Sequence, residues 1–226
     1  MTFFQQMFAV VKKDLLLEWR SPARMSSVFF FALAVVLVAA FSAGAGALLL
    51  RKQAAGTLWF GLLLASTRSL EQSFRVEVEQ GALEGLVLWP VDLRAVFYGK
   101  AIANTLVLVV VAVALLPLVI AIHDAPVNGS WPMLLAFIAL GSAAIAAPGT
   151  LYAGIATRAR GASVLLPVLL FPLVVPALIC TTRGTLLLIE GDVMGDTPAW
   201  LGLLFAFDAI HWSLTGLLFS RIVEET

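Results

Sequence analysis

Residues 101–122 read AIANTLVLVVVAVALLPLVIAI and contain no charged side chain. A helix needs about 20 apolar residues to cross the hydrocarbon core of a bilayer, so this stretch is long enough to span a membrane. Other uncharged runs lie on both sides of it, and none shows the short period-2 alternation of membrane β-barrels. The stretch therefore predicts one transmembrane helix of an all-α membrane protein.

Six such segments divide the chain. The second is the shortest uncharged run, and we extend it toward Leu70 on the expectation that the Arg68 side chain reaches the interface. The predicted spans are 25–50, 53–70, 101–122, 131–157, 161–182 and 198–220. This makes 25–226 a six-helix transmembrane domain that follows an N-terminal cytoplasmic interfacial helix in 1–24.

The composition agrees with a membrane protein. Hydrophobic residues make up 61% of the chain and charged residues 12%, whereas about half of a soluble domain is apolar and about a quarter is charged. A net charge of +0 offers no basic face to a nucleic acid. The one cysteine excludes an intrachain disulfide, and no CxxC, HExxH or CxxCH pattern indicates a metal or haem attachment site. We expect no cleavable signal peptide, because the charged residues before Met25 precede the first apolar run.

The distribution of Lys and Arg predicts the orientation. If the N-terminus is inside, the inner segments hold 11 basic residues and the outer loops hold 3. Basic residues accumulate on the cytoplasmic side, so we expect both termini in the cytoplasm. Trp59, Trp131 and Trp200 fall near the predicted outer edges, where an aromatic belt would place them.

The first segment outside the spans, 3–20, has the apolar periodicity of an amphipathic helix. Five apolar residues recur at spacings of three and four, namely Phe4, Phe8, Val11, Leu15 and Trp19. Polar residues take the other faces. Such a helix lies in the interface plane of the membrane rather than crossing it.

The second segment outside the spans is the longest predicted cytoplasmic loop, 68–90, which reads RSLEQSFRVEVEQGALEGLVLWP. Four apolar residues can share one helical face, namely Phe74, Val78, Leu83 and Leu86. Gly81 indicates a break between two short helices. A plain solvated connector has no need of such spacing, so we favour a docking element for a cytoplasmic partner over that alternative.

Two ionisable residues, Asp208 and His211, lie within the sixth predicted span. They are three positions apart on a helix, so their side chains can meet. Charged groups at membrane depth are costly and face a bundle interior. A proton or substrate contact, a polar lock between subunits and a self-satisfied Asp–His pair are all consistent with this pattern. For His123, in a predicted outer loop, a solvated side chain is favoured over a haem ligand.

Longer stretches carry a resemblance to a known family. They are KDLLLEWRSPAR (13–24), MSSVFFFALAVVLVAAFS (25–42), LWFGLLLASTRSLEQSFRVEVEQGALEGLVLWPVDLRAVFYGKAIAN (58–104) and LLFAFDAIHWSLTGLLFSRIVEE (203–225). The chain resembles the B subunit of the cytochrome c maturation haem exporter, an ABC transporter permease of the ABC-2-like superfamily. The most specific part is the pattern LE…FR.E…GALEGL…P (70–90) followed by YGK (98–100).

The resemblance implies a non-catalytic permease subunit in the bacterial inner membrane. Two copies would assemble with a cytoplasmic ABC ATPase, a haem-handling subunit with a tryptophan-rich motif, a small membrane subunit and a periplasmic haem chaperone. Haem and ATP would be handled by the complex, and no cofactor or metal is assigned to this chain. In this superfamily the loop between spans two and three carries a coupling helix. The implied ATPase contacts are Glu71, Arg75, Glu77, Gly81, Leu83 and Glu84.

The absence of a P-loop agrees with a separate ATPase, since the only Gly-Lys pair, Gly99-Lys100, is followed by Ala101. Three alternatives remain open. The first is the permease of another ABC-2 exporter, for a lipid, glycan or drug. The second is a non-transporting membrane scaffold, and the third is an intramembrane enzyme that depends on Asp208 and His211.

Overall fold

The computed structural model describes residues 2–20, 22–42, 46–79, 92–156 and 162–224. In these ranges the chain forms seven α-helices and no β-strand, which confirms the all-α prediction. The helices are α1 (Phe3–Arg20), α2 (Pro22–Ser42), α3 (Ala47–Glu79), α4 (Leu93–His123), α5 (Trp131–Ala156), α6 (Ala162–Glu190) and α7 (Thr197–Glu224).

Five of these helices are long and apolar enough to cross a membrane. Their apolar segments are Met25–Ser42, Leu93–His123, Trp131–Ala156, Leu165–Glu190 and Thr197–Arg221. α3, which contains the second predicted span, does not meet the same measure of length and hydropathy among the described residues. It packs against α2, α4, α5 and α6, so much of its surface meets protein rather than lipid and can carry polar residues.

The contact between α3 and α5 is close because glycines on α5 face large side chains on α3. Gly141 faces Trp59, Gly149 faces Leu70 and Gly154 faces Phe74. A Cβ atom at Gly141 or Gly149 would collide with its partner. The small residues of the predicted fourth span thus do allow close helix approach.

The boundary between the first two predicted spans differs from the structure. We predicted a first span of 25–50, but α2 ends at Ser42 and α3 begins at Ala47. Arg51 and Lys52 therefore lie in the second turn of a helix rather than in an outer loop. The division of the chain into 1–24 and 25–226 stays a prediction.

Prolines do not interrupt α6. Pro167, Pro172 and Pro176 all lie inside the continuous helix Ala162–Glu190. Each removes one backbone donor, and neighbouring helices can compensate for that loss in a membrane protein. The helix-breaking tendency of proline in isolation is therefore overridden by packing.

At the bundle end opposite α1, two short loops are held by specific hydrogen bonds. Asn128 Nδ2 donates to the Ile189 carbonyl at 2.8 Å, and the Gly129 amide donates to the Leu188 carbonyl at 2.8 Å. The Asp192 carboxylate accepts from the amides of Asp196 at 2.9 Å and Thr197 at 2.8 Å. Hydrogen bonds from Thr197, above all, lower the pKa of Asp192 below its ordinary value.

Candidate coupling site at the junction of α3 and α4

The segment 80–91 joins α3 to α4 and lies outside the described residues. The helix ends on either side of it are described, and they meet at a buried cluster that we call the junction. The junction consists of Asp14, Ser73, Phe74, Phe97, Tyr98, Gly99, Lys100, Trp212 and Phe219. A displacement of segment 80–91 that is transmitted through the ends of α3 and α4 therefore reaches this cluster.

Lys100 is the centre of the junction. Its side chain is 0% exposed, and its ammonium donates to Asp14 Oδ2 at 3.2 Å and to the Ser73 carbonyl at 3.0 Å. The same ammonium lies 4.7 Å from the centroid of the Phe74 ring. A buried charge must be paired and hydrogen-bonded, and here the partners come from α1 and α3. Lys100 therefore ties three helices together.

The two residues before Lys100, Tyr98 and Gly99, contact α7 and α1. A Cβ atom at Gly99 would stand 2.7 Å from Val10 Cβ and 2.9 Å from the Met7 carbonyl oxygen, so only glycine allows α1 to approach α4 this closely. Tyr98 stacks on Trp212 of α7 with a centroid distance of 6.3 Å and an angle of 12°. Because successive helical residues point in different directions, three consecutive residues reach α7, α1 and α3.

An aromatic cluster fills the space beneath these contacts. The Phe97 ring lies 5.3 Å from the Phe219 ring, and the Phe74 ring lies 6.4 Å from it. Gly154 of α5 leaves room for this cluster, since a Cβ atom there would stand 3.1 Å from Phe219. Close-packed cores transmit displacement rather than absorb it, so movement at the end of α3 would be passed to α4, α5 and α7.

The N-terminal helix α1 also contacts the residue at which segment 80–91 rejoins the bundle. The Asp92 amide donates to Gln6 Oε1 at 3.0 Å, and the Asp92 carboxylate caps α4 by accepting from the Arg94 amide at 2.9 Å. α1 thus lies beside the first turns of α4 and is part of the site.

The apolar face predicted for α1 is not the face that packs against the protein. Phe4, Phe8 and Trp19 are 72%, 67% and 84% exposed, whereas Met7 and Val10 meet α4. Val11 and Leu15 of the predicted face are half-buried, so its exposed part consists of Phe4, Phe8 and Trp19. The location of this part in the membrane interface stays a prediction.

The predicted ATPase contacts are only partly described. Glu71, Arg75 and Glu77 lie on the last turns of α3, which continues as one helix beyond the predicted span. Glu71 is half-buried, and burial raises its pKa while Arg68 opposes the shift. The side chains of Arg75 and Glu77 lie outside the described residues, as do Gly81, Leu83 and Glu84.

Asp208 and His211 do not form a hydrogen-bonded pair. Neither carboxylate oxygen of Asp208 has a hydrogen-bond partner. His211 Nδ1 lies 2.9 Å from the Phe207 carbonyl, and its ring stacks on Phe207. The structure thus argues against the self-satisfied pair. Within the described ranges, no group of three His, Cys, Asp or Glu residues could hold a metal ion.

Two predictions about the opposite end of the bundle were wrong. His123 is the last residue of α4 and is fully buried, with Nε2 3.1 Å from Thr57 Oγ1 and Nδ1 3.1 Å from the Val119 carbonyl. It is neither a solvated loop histidine nor free to ligate iron in this arrangement. Trp59 is 1% exposed, and its indole donates to Thr185 Oγ1 at 3.0 Å. It is a core residue and not part of an aromatic belt.

Comparison with known proteins agrees with the resemblance seen in the sequence. The model of the family described as "CcmB protein" matches residues 5–224. The chain belongs to the CcmB family. The match includes the junction residues on α1, α3, α4 and α7. The contacts of the junction give the YGK pattern (98–100) of this CcmB chain a structural role. Its tyrosine contacts α7, its glycine contacts α1, and its lysine contacts both α1 and α3.

Curated relatives carry the name "Heme exporter protein B". The protein from Rhodobacter capsulatus is 32% identical over 173 residues, which cover 76% of this chain and 79% of that protein. The protein from Paracoccus denitrificans is 32% identical over 181 residues with the same coverage of both chains. The protein from Pseudomonas aeruginosa is 27% identical over 197 residues, or 87% and 88% of the two chains. This CcmB chain is thus related to these proteins over most of its length.

Proposed function

We propose that this chain is the membrane permease subunit of an ABC-type haem exporter for cytochrome c biogenesis in a bacterial inner membrane. Membership of the CcmB family, whose curated relatives are named heme exporter protein B, is the observation that supports this function. The sequence has no P-loop, so ATP hydrolysis belongs to a partner subunit. This chain is then a non-catalytic part of the complex.

A partner ATPase engages segment 68–90. Its contacts are Glu71, Arg75, Glu77, Gly81, Leu83 and Glu84. Closure of the ATPase on ATP displaces the end of α3, and the junction passes the displacement to α1, α4, α5 and α7. ATP binding can move the helices only if it stabilises one of their arrangements more than another. The buried contacts of Lys100 and Phe74 supply a rigid link for this purpose.

α3 is the sixth membrane crossing. Its burial among α2, α4, α5 and α6 explains how a helix of lower hydropathy can span the bilayer, since polar groups in membranes face the bundle interior. Six crossings put both termini on one side, and the excess of Lys and Arg in the inner segments supports a cytoplasmic location for that side. The junction and segment 68–90 are then accessible to a cytoplasmic ATPase.

The remaining parts of the complex handle the haem. A membrane subunit with a tryptophan-rich motif holds haem, a periplasmic chaperone receives it, and a small membrane subunit and a second copy of this chain complete the assembly. This chain carries no tryptophan-rich motif of that kind, so its role is to convert ATP-driven motion into release of the loaded chaperone.

Glu84→Lys tests the docking assignment. The variant reverses a charge in the proposed ATPase contact, so we expect it to abolish the dependence of chaperone release on ATP while the chain still inserts and assembles. The matched control is Glu190→Lys, which reverses an exposed charge at the opposite end of the bundle and should leave release intact. Unchanged ATP-dependent release in the Glu84 variant contradicts the docking assignment.

Two further measurements separate haem export from the alternatives. Co-purification with an ATPase subunit and a haem absorbance spectrum of that complex support the proposal, whereas a complex that binds no haem favours another ABC-2 exporter. A scaffold works without ATP. If cytochrome c maturation persists with an ATPase that cannot hydrolyse ATP, the proposed coupling is wrong.

A further inference from the structure

Asp208 is a buried carboxylate without a partner in the middle of a membrane helix. Asp208 is 6% exposed, and neither of its carboxylate oxygens has a hydrogen-bond partner. The apolar part of α7 runs from Thr197 to Arg221. At 1.5 Å per residue, Asp208 lies about 16 Å along the helix from Thr197, near the centre of the span.

No basic group of the neighbouring helices neutralises Asp208. α7 packs against α4, α5 and α6. The basic residues of α4 to α7 are Arg94, Lys100, His123, Arg183, His211 and Arg221. Lys100 is paired with Asp14, and both ring nitrogens of His123 lie at hydrogen-bond distance from Thr57 and Val119.

The other four basic residues do not meet the carboxylate either. Arg94, Arg183 and Arg221 have exposed side chains, and His211 Nδ1 lies 2.9 Å from the Phe207 carbonyl. The further titratable groups with described side chains on these helices are Tyr98, Tyr152, Cys180 and Glu190. None of them is cationic, so none could compensate a negative charge on Asp208.

An ionised carboxylate in this position would be an isolated charge in a medium of low dielectric constant. Such a charge costs far more than an uncharged polar group, and the group takes up a proton instead. We propose that Asp208 is a proton-binding site and is a neutral carboxylic acid in the resting protein. The site makes the packing of α7 in the bundle sensitive to protons, because loss of the proton leaves a charge that the bundle does not compensate.

Infrared spectroscopy of the chain in lipid nanodiscs tests the protonation state. With isotope-labelled aspartate, the wild type should show the carbonyl band of a protonated aspartic acid at neutral pH. Asp208→Asn should lose the band, whereas Asp196→Asn, at an exposed loop position, should keep it. Absence of the band from the wild type, or its persistence in Asp208→Asn, would overturn the proposal.

Thermal unfolding at increasing pH gives an independent readout. Unfolding exposes Asp208 to water, where an aspartic acid releases its proton above about pH 4. The unfolding temperature of the wild type should therefore fall as the pH rises from that value until the folded protein also loses the proton, and the Asn variant should lack that part of the decrease. Asp208→Leu, which also lacks the carboxyl group, provides a second comparison should the Asn variant assemble poorly. An identical pH response in the wild type and both variants would contradict the proposal. Neither experiment needs the ATPase or haem, so its failure is distinct from failure of the proposed function.

Discussion

The Lys100 ammonium lies 3.2 Å from Asp14 Oδ2, although the two residues are 86 positions apart in the chain. The bond joins α1 to α4, and the same ammonium donates to the Ser73 carbonyl at the end of α3. α1 is therefore tied to the helix that leads into the proposed ATPase contact. A motion of α3 would therefore carry α1, with its exposed aromatic side chains, along with it.

Lys100→Gln should destabilise the protein because it leaves Asp14 without its buried partner. The substitution removes the charged donor from both Asp14 and the Ser73 carbonyl, and a hydrogen bond that involves a charged group contributes about 1.5–3 kcal/mol. Lys13→Gln is the matched control, since Lys13 also lies 3.0 Å from Asp14 but its side chain is 47% exposed, and we expect a loss of less than about 1 kcal/mol. Chemical unfolding in detergent measures both values. An equal decrease in the free energy of unfolding in the two variants would show that the burial of Lys100 does not strengthen its interaction with Asp14.

Gly141→Leu should separate α3 from α5. A side chain at Gly141 would collide with Trp59 of α3 and Thr181 of α6, and overpacking of this kind costs about 1–3 kcal/mol. Gly202→Leu on α7 is the control, because a Cβ atom at Gly202 meets nothing within 4 Å. The unfolding midpoint should fall for the first variant and stay near that of the wild type for the second. A similar midpoint for both would mean that the contact is looser than the structure shows.

The apolar helices could be predicted from the sequence because lipid imposes a simple requirement on them. Residues 101–122 are uncharged over the length of about 20 residues that a crossing needs, and they lie within α4. α3 was harder to predict, because protein surrounds much of it and its sequence can include Thr57, Ser66 and Ser69, all buried. The start of this helix was predicted too late in the chain, at residue 53, because the basic residues Arg51 and Lys52 are typical of a loop. In the structure α3 begins at Ala47, and both residues lie within it.

The junction could not be predicted from local pattern. In the sequence, Gly99-Lys100 only showed that no P-loop is present. The partners of Lys100 are 86 and 27 positions away, and nothing in the spacing of α4 indicates them. The burial of His123 could not be predicted for the same reason, since its contact with Thr57 depends on how α3 packs against α4.

Asp192→Ala should loosen the start of α7, because its carboxylate accepts hydrogen bonds from the amides of Asp196 and Thr197. Hydrogen exchange at these amides should become faster, whereas Glu190→Ala, which removes an exposed carboxylate nearby, should leave it unchanged. The pKa of Asp192 is lowered in the folded protein, so its stabilising effect is present at neutral pH and is lost as the pH falls through that lowered pKa. Exchange in the wild type should approach that of the variant in acid. Slow exchange in Asp192→Ala would show that other contacts hold the loop.

Lipids brominated near the head group should quench the fluorescence of Trp19 and spare that of Trp59. Trp19 is 84% exposed on α1, and Trp59 is 1% exposed in the bundle core. Relative to the wild type, Trp19→Phe should therefore reduce the quenched fraction, and Trp59→Phe should increase it. Lipids brominated at the chain ends are the control and should quench Trp19 less, because an amphipathic helix of this kind is buried only about 5–10 Å into the boundary region. If neither lipid quenches Trp19, the exposed face of α1 lies in water, and the predicted interfacial location of α1 is wrong.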